Sequence, residues 1–368
     1  GGRRWQEFLS VPGQAYLEIQ SGLARTQAER LPMPGGAVWE WLEGYGLMEV
    51  DPKVAHGRDW ARARQAVESR LEAMVPRARM DAELAGSAAW ADQPPAEMVQ
   101  QGGGWGALER RRRKVSGDKP FCGPATPFDD ASLEPQQAPW LALLEQGAPT
   151  GVDPTVEPVG YLVQPEWRER LEQAAGRSGA NAWWTWLHLG VMRYWAEEYA
   201  GARQAWEASL AACPTPWANR NLAVLAREEG RMEEAAGLYV AACRQRPGLM
   251  PLVVECGQFL LDQNRPQEVL ELLEVLPEPV RSAGRVKLLE GRAALAVRDF
   301  ARVERLFTEK LVIDDLREGE RSLSHLWFEY HEQRLSAAEG VSVDEALKAR
   351  VRREHPVPAH LDFRMSND

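Results

Sequence analysis

The sequence predicts a mostly α fold: an α-solenoid of stacked helical hairpins, with a short N-terminal β segment and a long Pro/Gly-rich connector before it. Three observations carry that expectation. From Glu166 almost to the end the chain reads as helix, broken at regular intervals by Gly and Pro. Between about residues 180 and 307, small and large residues recur in phase at fixed offsets. The composition, 44% hydrophobic and 27% charged, is that of a chain with a packed core rather than a disordered one.

Length and charge bound the rest. At 368 residues the chain is long enough for more than one folded unit. A net charge of -10 argues against non-specific binding to nucleic acid or anionic lipid, which calls for a positive surface. No apolar run approaches the roughly 20 residues that cross a bilayer, so no membrane association is expected. The opening Gly1-Gly2-Arg3-Arg4-Trp5 lacks the apolar stretch of a signal peptide. Cys122, Cys213, Cys243 and Cys256 show no paired spacing, which predicts reduced thiols and a cytoplasmic setting. Fifteen Trp against 8 Phe point to amphipathic helix interfaces or to an aromatic ligand surface.

Five segments follow in order. Residues 1–51 carry two alternating stretches, Ala15-Tyr16-Leu17-Glu18-Ile19-Gln20 and Val38-Trp39-Glu40-Trp41-Leu42, separated by Pro32, Pro34, Gly35 and Gly36; they predict two short strands. Two strands cannot bury a core alone. Residues 52–92 turn helical, with Trp60, Ala63, Leu71 and Met74 on one face and a break at Pro76. Residues 93–165 are rich in Pro and Gly, with one short helix expected at Trp140-Leu141-Ala142-Leu143-Leu144. Trp105, Phe121, Phe128 and Trp140 suggest that this connector is pinned to a neighbouring surface. Residues 166–311 hold the hairpins, and residues 312–368 add terminal helices and a tail.

The hairpins carry the clearest signal. Trp186-x2-Leu189-Gly190, Ala202-x3-Trp206 and Pro214 mark the first unit. Leu222-Ala223, Gly230, Ala235-x3-Tyr239, Ala242 and Pro247 mark the second. Cys256-Gly257, Asn264, Val269-x3-Leu273 and Pro277 mark the third, and Glu290-Gly291 with Val303-x3-Phe307 the fourth. Small residues sit where the two helices of a hairpin approach closest, and large ones fill the space between hairpins. Proline stops the second helix because it has no N–H to donate. This pattern resembles the tetratricopeptide repeat family over roughly a third of the chain. The resemblance implies a concave surface built from the first helix of each hairpin. Its inward residues would be Trp184, Leu187, Val191, Tyr194, Trp195, Trp217, Arg220, Val224, Arg227, Gln258 and Arg292. Trp, Tyr and Arg are the residues that dominate interface energetics, so such a groove suits a peptide or protein partner. The chain's own Pro-rich segment or terminal helix is the other candidate occupant.

A second resemblance lies at the N-terminus. Tyr16-Leu17-Glu18-Ile19-Gln20, Leu31-Pro32-Met33-Pro34-Gly35-Gly36 and Trp39-Glu40-Trp41 look like the last strands of a galactose mutarotase-like β-sandwich. The resemblance implies that Glu18 stands where those enzymes hold a general base. The histidines that such an enzyme uses as acid and substrate clamp have no counterpart here, and a base without its acid does not complete a proton relay. Joined to helical repeats and to Pro356-x-Pro358-Ala359-His360-Leu361-Asp362-Phe363-Arg364-Met365, the segment resembles bacterial multidomain proteins with a sugar-associated domain. It implies that this chain is the C-terminal part of a longer polypeptide, or a truncated gene product.

The remaining motifs predict little chemistry. Arg110-Arg111-Arg112-Arg113-Lys114 is read as a solvated loop or as a partner for acidic helices, and Gly102-Gly103-Gly104-Trp105-Gly106 as a flexible turn with no helix start behind it. His56, His188, His325, His331, His355 and His360 form no metal-binding spacing, so neither metal nor cofactor is expected. His188 is expected inside the first hairpin helix, and Tyr330-His331-Glu332 at the surface. The expected function is a helical-repeat interaction module that binds a peptide, a partner protein or its own sandwich domain. The alternative is a sugar-processing enzyme of epimerase or glycosidase type, with Glu18 as base and Trp105 and Trp140 as sugar-stacking platforms.

Overall fold

A computed structural model describes residues 2–16, 18–26, 28–158, 160–176, 179, 182–309, 311–313, 316 and 319–364. Leu17, Ala180 and Met365, which figure in the expectations above, lie outside the described residues. The chain divides into two compact units, Gly1–Ile19 with Leu141–Asp368, and Gln20–Trp140. The protein is mostly α-helical, and the described residues contain no strand.

The first unit opens with α1 (Gly2–Leu9), followed by irregular backbone. The two expected strands are not formed: described residues of 15–20 and 38–42 have no regular structure and are almost all exposed. Alternation marks a candidate strand, but a strand exists only where a second backbone takes up its N–H and C=O groups.

The second unit holds α2 (Pro52–Ala55), α3 (Trp60–Met74), α4 (Arg77–Ser87) and α5 (Gly104–Ser116). Asp59 caps α3 by accepting the Arg62 N–H at 3.1 Å. Pro76 stands between α3 and α4, where its missing N–H costs least. On α3 only Ala63 is buried, and Trp60 is 79% exposed. The unexpected element is α5, which starts inside the glycine run. A β-carbon at Gly106 would lie 2.1 Å from the Phe128 ring, and one at Gly104 2.6 Å from Gln137 Oε1. These glycines are there for closeness rather than flexibility. The basic run is helical too: Arg112, buried, pairs with Glu109 at 2.7 Å and with Asp118 at 2.9 Å, while Arg110 and Arg111 both reach Asp130.

The chain crosses between units along α6 (Ala138–Gln146) and continues through α7 (Pro165–Ala175). Four helical hairpins follow in the first unit. They are α8 (Ala182–Trp195) with α9 (Tyr199–Ala212), α10 (Pro216–Glu228) with α11 (Met232–Gln245), α12 (Met250–Asp262) with α13 (Pro266–Glu274), and, after the single turn α14 (Glu278–Arg281), α15 (Gly284–Ala296) with α16 (Phe300–Thr308). α17 (Ser322–Glu339) packs on α15 and α16, and α18 (Glu345–Glu354) packs on α17.

The hairpins repeat in detail. Between the two helices of each, one residue takes the left-handed conformation: Glu197, Gly230, Asn264 and Arg298, at φ 61°, 76°, 56° and 62°. They recur at intervals of about 34 residues. In each turn the next N–H reaches back to a carbonyl five residues earlier, Glu198 to Arg193, Arg231 to Ala226, Arg265 to Leu260 and Asp299 to Ala294, at 2.8–2.9 Å. That bond satisfies a carbonyl orphaned at the helix end. Pro214, Pro247 and Pro277 stand just beyond the ends of α9, α11 and α13. The helices at these positions are small-faced: Ala202, Ala223, Ala235 and Ala242 are fully buried, and Trp206, Tyr239, Leu273 and Phe307 fill the spaces between. The architecture is helical-repeat-like and compatible with a solenoid.

Left-handed backbone costs an ordinary L-residue roughly 1–2 kcal/mol, part of which a glycine returns in unfolded-state entropy. Arg298→Gly is therefore expected to stabilise the fourth hairpin by about 0.5 kcal/mol. Its denaturation midpoint should rise, and a fall would show that the Arg298 side chain holds the turn.

The Tyr330-His331-Glu332 run is packed rather than superficial. Tyr330 and Glu332 are buried, and the His331 ring stacks on that of His355 at 4.0 Å. The tryptophans divide between two roles: Trp140, Trp167, Trp183, Trp184 and Trp206 are buried between helices, whereas Trp39, Trp41, Trp60, Trp90 and Trp195 are exposed.

Candidate functional site

The first helices of the hairpins, α8, α10, α12 and α15, share one face. A cavity of about 320 Å³ opens on it. α8 contributes Leu187, His188 and Val191; α10 contributes Trp217, Arg220 and Asn221; α12 contributes Pro251, Leu252 and Glu255, with Leu249 just ahead of it. The remaining wall is Glu157, Pro158, Gly160 and Tyr161, from the Pro-rich segment ahead of α7. Thr215 and Pro216 start α10 by capping and by a preset φ, and so fix where Trp217 emerges.

A polar ladder runs along the same face, one rung per repeat. The Tyr194 hydroxyl donates to Glu228 Oε2 at 2.5 Å, joining α8 to α10. Arg220 reaches Glu255 through Nε at 3.0 Å and its terminal nitrogen at 2.9 Å, joining α10 to α12. The Tyr239 hydroxyl donates to the same carboxylate at 2.9 Å. Arg292 donates to Gln258 Oε1 at 2.6 Å, joining α15 to α12. Burial lowers the proton affinity of Arg220, but the bond and field of Glu255 outweigh it and hold the guanidinium above its ordinary value. Tyr194 is pushed up to about 12, first by burial and then by its bond to Glu228. Tyr239 is raised by burial and by the Glu255 charge. Tyr194, Arg220 and Tyr239 are therefore fixed donors rather than titrating groups at neutral pH.

The expected inward residues divide accordingly. Leu187, Val191, Trp217 and Arg220 line the cavity. Tyr194, Gln258 and Arg292 belong to the ladder. Trp184 is buried below the face and packs its ring 4.2 Å from that of His188. Val224 packs against the core, and Trp195 and Arg227 are exposed. Sequence reasoning missed His188, Asn221 and Glu255 as lining residues. Their helical spacing from Trp184, Trp217 and Leu252 was the available signal. His188 is 3% exposed, and desolvation pushes its imidazole down to about 3, so it is neutral in ordinary conditions.

The residues of the sugar-processing alternative are placed elsewhere. Glu18 is exposed on irregular backbone. Trp140 is 1% exposed, so its ring has no open face for a sugar to stack on, and Trp105 is partly buried at the start of α5. Among the described residues no group of three or more His, Cys, Asp or Glu could hold a metal ion, and all four cysteines are free thiols. No helix among them is long and apolar enough to cross a membrane.

A larger cavity, about 600 Å³, lies in the second unit between the last turns of α5 and the loop carrying Phe121 and Phe128. Its arginines are already engaged, Arg110 by Asp130 and Arg113 by Glu109 at 2.7 Å. The smaller cavity is the stronger candidate, because three successive repeats converge on it and its wall includes the half-buried indole of Trp217. No protein-family model matches the chain, and no curated protein matches it in sequence.

Proposed function

We propose that the hairpins form a tetratricopeptide-like interaction module that receives an extended segment of a partner protein on the first-helix face. The observation that supports this reading is the cavity where α8, α10 and α12 converge, with Trp217, Asn221, Leu187 and Val191 on its walls. Its ingredients are those of a peptide site. Apolar walls supply area, an indole supplies a rigid anchor, and an amide at Asn221 supplies donors and acceptors for a backbone. The ladder beneath holds the walls in place before any partner arrives, which reduces the ordering cost of binding. Trp217 Nε1 is buried and has no hydrogen-bond partner among the described residues, so a carbonyl placed against it would gain a bond that the unliganded chain lacks.

Selection from a displayed library of random peptides on the intact chain tests the reading. Enriched peptides should bind at least about tenfold more weakly to Trp217→Ala and to Asn221→Ala, and equally well to Val275→Ser, a control on the exposed end of α13. Peptides indifferent to the two groove changes, or no enrichment at all, would refute the assignment.

A further inference from the structure

Part of the first-helix face is already covered by the chain itself. Residues 152–158, 160 and 161 run across it without helix or strand. The Asp153 carboxylate accepts the Thr155 N–H at 2.8 Å and its hydroxyl at 2.7 Å, and the Val156 N–H closes the turn on the Asp153 carbonyl at 3.1 Å. These bonds, and then the positive field of Arg246, hold the Asp153 carboxyl below its usual range. Arg246, at the end of α11, donates to the Thr155 carbonyl and lies 6.0 Å from the Trp217 ring. Beyond this point Pro158, Gly160 and Tyr161 form one wall of the cavity.

The strap is acidic, and the hairpins hold it through a base. Val152-Asp153-Pro154-Thr155-Val156-Glu157-Pro158-Val159-Gly160-Tyr161 has two acids, two prolines, one aromatic and no base. Its Thr155 carbonyl accepts from Arg246, and among the described residues no carboxylate pairs with Arg246, whereas Arg220 on the same cavity is engaged by Glu255. The attachment is shallow. Val156 and Tyr161 are 59% and 61% exposed, and the prolines remove two backbone donors. A segment with few backbone bonds and exposed side chains opens at low free energy.

From this we infer that the strap is an internal stand-in for the module's ligand. The partner segment is extended, acidic and proline-bearing with an aromatic, and it binds by displacing residues 152–161. The inference rests on the interaction reading above and adds the ligand's chemistry and the competition. When only a fraction of molecules has the strap lifted, the apparent dissociation constant rises by the inverse of that fraction. Loosening the strap therefore tightens binding.

The test uses the full chain and a fluorescent peptide with the sequence of residues 152–163. In the double variant Pro158→Gly, Tyr161→Ala the labelled peptide is expected to bind at least about tenfold more tightly than in the wild type. Adding Trp217→Ala should abolish that binding, and a scrambled peptide should not bind. Hydrogen exchange of the strap amides in the wild type should speed up when a library-selected peptide is added. If selected peptides bind the wild type and the double variant equally, or if strap exchange slows or stays unchanged, the competition is refuted while the interaction reading stands. If neither selected nor strap peptides bind either protein, both fall.

Discussion

Gly190→Ala is expected to destabilise the first hairpin by about 2–4 kcal/mol, the reverse of what helix propensity dictates. In an open helix the change from Gly to Ala gains about 1 kcal/mol. Here a β-carbon at residue 190 would stand 2.3 Å from Trp206 Nε1 and 2.4 Å from its Cδ1. The indole has no room to retreat, being 2% exposed, and it is tethered by a 3.1 Å bond from Nε1 to the Leu187 carbonyl. Overpacking costs roughly 1–3 kcal/mol, and breaking the indole bond leaves a buried donor unmet at a further 1–3 kcal/mol. The steric and polar costs together exceed the propensity gain. Amide exchange across α8 and α9 should accelerate, which reads the local loss even if the second unit unfolds separately. Gly190→Ala with Trp206→Phe should recover part of the loss, because the phenyl ring is smaller and has no N–H to leave unmet. Undiminished protection in the single variant would refute the close-approach account.

Gly190 also shows what was readable in the sequence. Closeness between the helices of a hairpin demands small residues at fixed spacing, and that demand is local. The pattern from Gly190 and Ala202 to Gly291 therefore located the hairpins, and Pro214, Pro247 and Pro277 located their ends. The same residue type misled at Gly102–Gly106, because glycine answers equally to a need for freedom and a need for space. Only the Phe128 ring against α5 tells which applies, and its contact is set by a loop more than twenty residues away. The strands expected at 15–20 and 38–42 failed for a related reason: alternation describes one strand, while the missing partner backbone lies outside the pattern. Within the site, position along the helix predicts Arg220, Tyr194, Gln258 and Arg292 as inward residues; Arg220 lines the cavity, and the other three bond to neighbouring helices. Whether they bind a ligand or one another is decided by groups one repeat away, Glu255 for Arg220 and Glu228 for Tyr194. The Pro-rich segment is only one of several occupants that the sequence allows, since the bond from Arg246 to Thr155 joins residues whose proximity no local period encodes.

Acid should weaken the first hairpin through His188, and the sign follows from where its proton is held. In the unfolded chain an imidazole titrates near 6.5. In the folded chain burial beside the Trp184 ring pushes His188 down to about 3. Between those values the unfolded chain binds a proton that the folded chain refuses, so stability falls as pH drops from about 6.5 towards 3. Each pH unit in that window costs roughly 1.4 kcal/mol, so going from pH 7 to pH 4.5 removes about 2–3 kcal/mol. His331, pushed down to about 4 by burial and then by the charges of His355 and Arg334, adds a loss of the same sign at α17. Carboxylates paired in the fold also lose stability in acid, so total pH dependence alone does not isolate His188. The comparison that does is with His188→Phe, which keeps a ring against Trp184 and removes the titration. Protection of α8 and α9 should fall from pH 7 to pH 4.5 in the wild type, and by about 2–3 kcal/mol less in the variant. Since His188 lines the cavity, peptide binding at pH 4.5 should weaken in the wild type more than in the variant. Equal pH slopes in the two proteins, or an imidazole resonance titrating near 6.5 in the folded chain, would overturn the assignment of His188 as a buried neutral group.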